Sequence, residues 1–328
     1  MKNLKKIGLS ALAGSLVAFS ANAAELSVSG GVELTYTDSG GNTGNEVTGN
    51  SYGANSNITF TGSGDVGFGT VSMTRAINDT NTGWASSHQS LDLGDMGTLS
   101  FDSTGGALVG ITASDDILPT AYEEMWTGVS GSGINGVGST NVIGYTNSFG
   151  MFAVSAGYSQ NGTSTAESAS SGQASHGSTT DISVKAEIMD GLTIQAGYAE
   201  DGAANTSTTS EDTTSIVGHV LYSTGPVSVG FRAAETNYGT AGTASRSIEA
   251  MSIAFNVNDN FAISYGVQDT EVEAMGVTGA VTEDVKGYGA AYTMGAASIR
   301  VQHNKSSDDN GSAGVDDEHT EVSLVLSF

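Results

Sequence analysis

The chain has 328 residues, no Cys, two Pro and 46 Gly, and sets 35 acidic against 10 basic side chains for a formal net charge of −25. The missing cysteines exclude disulfide frameworks, thiolate metal sites and Cys nucleophiles together. The charge argues against nucleic acid as a partner, because phosphate binding needs a basic face, and suits cations or cationic solutes instead.

The first segment reads as a sorting signal. Lys2, Lys5 and Lys6 form a positive start, Ile7–Phe19 an apolar run, and Ala21-Asn22-Ala23 a small-x-small cleavage site. Residues 1–23 are therefore expected to be a signal peptide and 24–328 the mature, exported chain. The apolar run is too short to span a bilayer, and no later segment approaches the ~18–20 apolar residues a spanning helix needs. An exported chain without such helices is either soluble beyond the inner membrane or a β-barrel, the other backbone arrangement that satisfies itself in lipid.

Leu26-Ser-Val-Ser-Gly-Gly-Val-Glu-Leu-Thr-Tyr36 alternates along its whole length. Side chains of a strand point to opposite faces with period two, and this length suits a tilted membrane strand of ~9–11 residues. The pattern returns at Phe152–Tyr158, Ile182–Ile188, Leu192–Tyr198, Val227–Phe231, Phe261–Val267, Ala297–Val301 and Val322–Phe328. Lys185, Arg232 and Arg300 fall on the polar face. Three strands are ambiguous. Around Ile216–Tyr222 both faces are apolar, and in Ile248–Phe255 and Val285–Tyr292 either parity is open. Tyr36, Tyr158, Tyr198, Tyr222 and Tyr265 fit interfacial aromatic girdles.

The connections separate a barrel from a soluble sandwich. Short ones, such as Gly94-Asp-Met-Gly97, Met189-Asp-Gly191 and Ser223-Thr-Gly-Pro226, hold the residues that tight turns require. Long polar ones fall near 38–54, 77–86, 103–140, 161–180, 201–213, 236–245, 272–282 and 305–316. The two kinds alternate and predict sixteen strands, an even number as bacterial barrels have. The longest connection, Ser103–Thr140, carries Asp115, Asp116, Glu123 and Glu124 and no Lys, Arg or His. Thr120-Ala-Tyr122-Glu123 after Pro119 is a capping-box pattern and predicts a short helix over Thr120–Trp126.

With these features the chain resembles the Gram-negative general porins. The carriers are the first strand Leu26–Tyr36, Ile58-Thr-Phe-Thr-Gly62 before a Gly-rich turn, the Gly94-Asp-Met-Gly97 turn and the terminal Phe328. The resemblance implies an all-β, sixteen-stranded antiparallel transmembrane barrel with short periplasmic turns, long external loops and an inward-folded third loop. It also implies a bacterial outer-membrane location and a homotrimer. Its function would be passive diffusion of small hydrophilic solutes through a water-filled channel. Ser103–Thr140 occupies the place of the constriction loop, so Asp115, Asp116, Tyr122, Glu123 and Glu124 are its expected lining. Leu324, Leu326 and Phe328 would belong to the signal read by the barrel-assembly machinery, and outer-membrane lipid and lipopolysaccharide would surround the wall.

The chain departs from the family in its basic residues. General porins set the acidic loop against an Arg cluster; here the basic residues after residue 23 are only Arg75, Lys185, Arg232, Arg246, Lys286, Arg300 and Lys305. Arg75 shares parity with Val71 and Met73, an outward direction. The expected lumen-facing bases are Lys185, Arg232 and Arg300, which predicts a net negative, cation-preferring lumen.

Rival readings remain at this level. Tyr122 and Trp126 could begin an aromatic site in a substrate-selective channel of the same fold. A secreted β-rich adhesin would share the alternation. The acidic external loops could hold divalent cations, though solubility explains them as well. Gly62-Ser-Gly-Asp-Val-Gly67 opens no βαβ unit, and the scattered histidines form no H-E-x-x-H motif. No catalysis, cofactor or resident metal is expected.

Overall fold

The computed structural model describes residues 25–41, 47, 49–79, 83–105, 109–114, 117–131, 133–138, 140–160, 177–202, 212–238, 245–273 and 281–328. Asp115 and Asp116, the expected signal peptide and His176 lie outside these residues.

Sixteen antiparallel strands close into one barrel in which each pairs with its sequence neighbours and the first with the last. They are β1 Glu25–Gly41, β2 Tyr52–Asp65, β3 Thr70–Asn78, β4 Ser86–Asp92, β5 Thr98–Thr104, β6 Val142–Phe149, β7 Phe152–Gln160 and β8 Ser178–Met189. They continue as β9 Leu192–Asp201, β10 Thr213–Thr224, β11 Val227–Asn237, β12 Ser245–Asn258, β13 Phe261–Glu273, β14 Val281–Met294, β15 Ala297–Ser307 and β16 Asp317–Ser327. The expected strand count and the alternation of short and long connections both hold. At the short-turn end, Gly191 (φ 77°) and Gly295 (φ 61°) take the left-handed backbone that a tight turn needs. The seam joins β1 to β16 with Val32 opposite Leu326, and Gly30 and Phe328 exchange backbone hydrogen bonds of 3.0 and 2.9 Å.

Period-two alternation places the apolar side chains outside. Leu26, Val28, Val32 and Leu34 of β1 are exposed, as are Ile182, Ile194, Phe231, Ile263 and Ile299 further round. Exposed apolar surface on this scale suits lipid rather than water. Tyr36 meets Tyr52 edge-on at 5.5 Å between ring centroids, and Tyr265 meets Tyr288 at 4.9 Å. All five tyrosines named from the sequence are exposed. Arg75 faces outward and lies over the Trp84 ring, 5.3 Å from its centroid.

The ambiguous strands resolve in one way. Ile216, Val220 and Tyr222 of β10, Met251, Ile253 and Phe255 of β12, and Tyr288 and Tyr292 of β14 are exposed on the outer face. Their inward neighbours Val217, Ile248, Ala250 and Val285 are buried. These inner positions are apolar because they do not face water. They form the seat of the long loop.

Candidate channel constriction

The described residues between β5 and β6 fold inside the barrel rather than away from it. Among the described residues three apolar clusters hold them there, the smallest joining Val109 and Val137 of the loop to Val142 of β6. Leu118, Met125, Trp126 and Val129 of the loop pack on Ala250 and Val285. Ile111 packs on Ala199, Val217, Ala234 and Ile248, with Ile134 against the same cluster. Small residues on the wall make room. A Cβ on Gly287 of β14 would lie 2.6 Å from the Met125 Cα, and one on Gly230 of β11 would lie 2.5 Å from Pro119 Cδ. Glycine is required there for close approach, not for its backbone freedom.

A loop packed inside a barrel brings polar backbone with it, and the wall satisfies that backbone from strand to strand. The Val137 amide donates to Asp181 Oδ2 of β8 at 3.0 Å, and the amides of Ile111, Thr112 and Gly157 also favour the same carboxylate. Asn135 N–H donates to Ser215 Oγ (3.1 Å), Ala121 N–H to Ser264 Oγ (2.9 Å) and Glu123 N–H to Gln302 Oε1 (2.8 Å). Thr236 Oγ1 donates to the Gly133 carbonyl (2.7 Å), and Asn304 Nδ2 donates to the carbonyls of Glu124 (3.0 Å) and Thr127 (2.9 Å). These partners run from β8 to β15. Buried backbone polar groups must be paired, so the wall's Ser, Thr, Asn and Gln on the inward face are loop ligands as well as hydrophilic lining.

The expected helix over Thr120–Trp126 does not form. Residues 121–123 are bends, and the turn comes later, with Val129 N–H on the Trp126 carbonyl at 3.1 Å and Ser130 N–H on the same oxygen at 2.8 Å. The Glu123 amide that a capping Thr120 would satisfy is taken by Gln302, and Thr120 Oγ1 donates instead to the Tyr122 carbonyl at 3.2 Å. Wall contacts outcompete the local motif.

The site residues named from the sequence divide accordingly. Glu123 is exposed and Tyr122 half-buried. Glu124 is 4% exposed and its backbone carbonyl accepts from Asn304 of the wall, and this burial corrects its expected place among the lining side chains. Arg232 requires the same correction. It points inward, as its parity demands, but is fully buried beneath the loop, its guanidinium 5.2 Å from the Trp126 ring centroid. Trp126 is buried with it, so it contributes no aromatic surface to the lumen. Lys185 faces inward and half-exposed, 3.9 Å from Glu187, in the space beneath the loop that Ile117 and Asp95 also line. Arg300 is half-exposed and lies over the Tyr122 ring, 5.5 Å from its centroid. Leu326 and Phe328 are exposed on the outside, with Leu324 half-exposed beside them.

Two residues were not singled out from the sequence. Glu321 of β16 accepts a 2.5 Å hydrogen bond from the Tyr122 hydroxyl, and Glu33 of β1 accepts one from Ser323 Oγ. Both have inward parity, which was the available signal. Burial, the bond to Glu321 and the nearby carboxylate charges all hold the Tyr122 phenol well above its usual pKa, so it stays a donor.

Among the described residues, the loop leaves much of the inner face of β1 and β2 uncovered. Ser27, Ser29, Asn55 and Asn57 are exposed there, facing open space. A closed barrel with an apolar exterior, an open polar strip inside and a loop folded across the remainder defines a transmembrane channel protein. The chain belongs to the Gram-negative porins, whose family model matches residues 8–327, and is thus a channel of the outer membrane. Its fold is similar to that of Salmonella typhi OmpF in complex with daunomycin, with TM-score 0.69 and 14% identity over 92% of this chain and 97% of that one. It is similar also to a loop L8 deletion mutant of OmpT, an outer membrane protein of Vibrio cholerae, with TM-score 0.67 and 16% identity over 94% and 100%. The anion-selective porin from Comamonas acidovorans aligns with TM-score 0.63 and 16% identity over 93% and 100%. No curated protein sequence matches the chain.

Proposed function

We propose that this porin passes small hydrophilic solutes and ions by passive diffusion, with a preference for cations, as a homotrimer. The observation that carries the reading is the contrast inside the barrel, where an exposed strip of Ser and Asn on β1 and β2 lies beside a loop edge carrying Tyr122 and Glu123. The charge supports the cation preference. Among the described residues Arg232 is withdrawn beneath the loop, while Glu33, Glu123 and Glu321 reach the inner space. Asp115 and Asp116, on the same loop, would add to that field. A trimer is supported by a trimeric form of Vibrio cholerae OmpT with TM-score 0.65.

A planar-bilayer recording of the purified protein in a KCl gradient tests the function. Discrete conductance steps and a cation-selective reversal potential are expected; an anion-selective sign refutes the preference. Removal of residues 1–23 on export accompanies this reading, and the mass of the protein purified from outer membranes checks it. Leu324, Leu326 and Phe328 serve as the assembly signal, so Phe328→Ala should lower the amount of folded protein in the outer membrane. An unchanged amount would sink that role. Outer-membrane lipid and lipopolysaccharide are the partners of the apolar exterior.

A further inference from the structure

The loop tip reaches the barrel wall at the seam, and the charge there is acidic. Tyr122 projects from the loop and donates its hydroxyl to Glu321 at 2.5 Å. Ser323, two residues further along β16, hydrogen-bonds Glu33 of β1 and also reaches the Tyr122 hydroxyl. Thr37 and Thr35 of β1 pair with Glu321 and Ser323, so both carboxylates stand on the two strands that close the barrel. Arg300 pairs with Ser323 from the other side and lies over the Tyr122 ring. His319 completes the surroundings, with Nε2 3.9 Å from Glu321 and Nδ1 2.9 Å from Ser39 Oγ.

We propose that Glu33 and Glu321, on the wall, determine ion preference, and that Tyr122 is the positioning residue that holds Glu321 against the lumen. The inference rests on the cation-preferring channel proposed above. Of the two adjacent loop glutamates, Glu124 is buried and only Glu123 is exposed. The wall pair is half-exposed, fixed by hydroxyl donors and offset by the single guanidinium of Arg300. Fixed charges in a narrow aqueous path act on permeant ions over a Debye length of about 10 Å at 0.1 M salt. Carboxylates tethered to strands hold their position in that path better than side chains on a loop edge.

The test is the K⁺/Cl⁻ permeability ratio from reversal potentials in dilute KCl gradients. Glu33→Gln with Glu321→Gln should lower the ratio by about twofold or more, and Glu123→Gln should lower it less. Arg300→Gln should raise it. The charge-retaining pair Glu33→Asp with Glu321→Asp should keep the ratio of the parent, which a merely structural role for the carboxylates would not predict. Tyr122→Phe removes the hydroxyl that holds Glu321 and should weaken the preference. A ratio unmoved by both the Gln pair and Arg300→Gln, in channels of normal conductance, overturns the proposal while leaving the porin function standing. A parent channel that prefers chloride overturns the cation reading itself.

Discussion

Two regions of the barrel interior are built on different rules. From β8 to β15 the inward positions are largely buried: Asp181, Gln195, Val217, Arg232, Ile248, Gln268, Val285 and Asn304 all lie beneath or beside the loop. On β1 and β2 the inward residues Ser27, Ser29, Asn55 and Asn57 are exposed. The first region behaves as a protein core with a loop for its other layer, and the second as a hydrophilic surface that happens to be concave. In a channel, an inward polar residue is thus not automatically a pore residue; in the seated region it is a partner for loop backbone.

Substitutions can break this contrast. The largest effect is expected from Trp126→Ala, which removes the ring from the apolar cluster and from Arg232 and should weaken loop seating by about 3–5 kcal/mol. Noisy, enlarged conductance steps and new protease cleavage within the loop would report it; a quiet channel of parental size would refute the seating role. Asp181→Ala comes next. It leaves the Val137 amide and its neighbours without their acceptor, at about 1–3 kcal/mol, and cleavage near residues 133–138 in limited proteolysis should rise. Gly287→Ala pushes a methyl group against the Met125 backbone and should cost about 1–3 kcal/mol, read as a lower temperature for the unfolding transition. Asn57→Ala in the open region should shift that same transition by less than about 0.5 kcal/mol. If Asn57→Ala destabilised as much as Gly287→Ala, the division of the interior would fail.

The barrel itself was legible in the sequence because its outer face repeats one simple rule. Leu26–Tyr36 alternates cleanly since lipid lies on one side and water on the other. The strands that looked undecided, at Ile216, Ile248 and Val285, looked so because their inner face meets protein. That ambiguity was itself a sign of the seat, although a single strand read alone does not reveal it. Inward glycines such as Gly230 and Gly287 are silent in the sequence until their loop neighbours are known. Arg232 had the right parity and the wrong environment, because the residues that cover it come from a distant part of the chain. Glu123 and Glu124 are adjacent yet differ in exposure, and an irregular segment has no period from which to foresee that.

The seam between β1 and β16 has a kinetic consequence. Strands β2 to β15 pair only with the neighbours made just before and after them, but β1 and β16 find their second partners in each other. Contacts so far apart in sequence form slowly, since the intervening chain must first lose its freedom. Until then β1 presents an unpaired edge with Leu26, Val28, Val32 and Leu34 along it, the kind of edge that recruits the wrong partner. The interval before β16 reaches β1 is therefore one in which the open edge invites aggregation, and shielding that edge during it would protect the yield of folded chain.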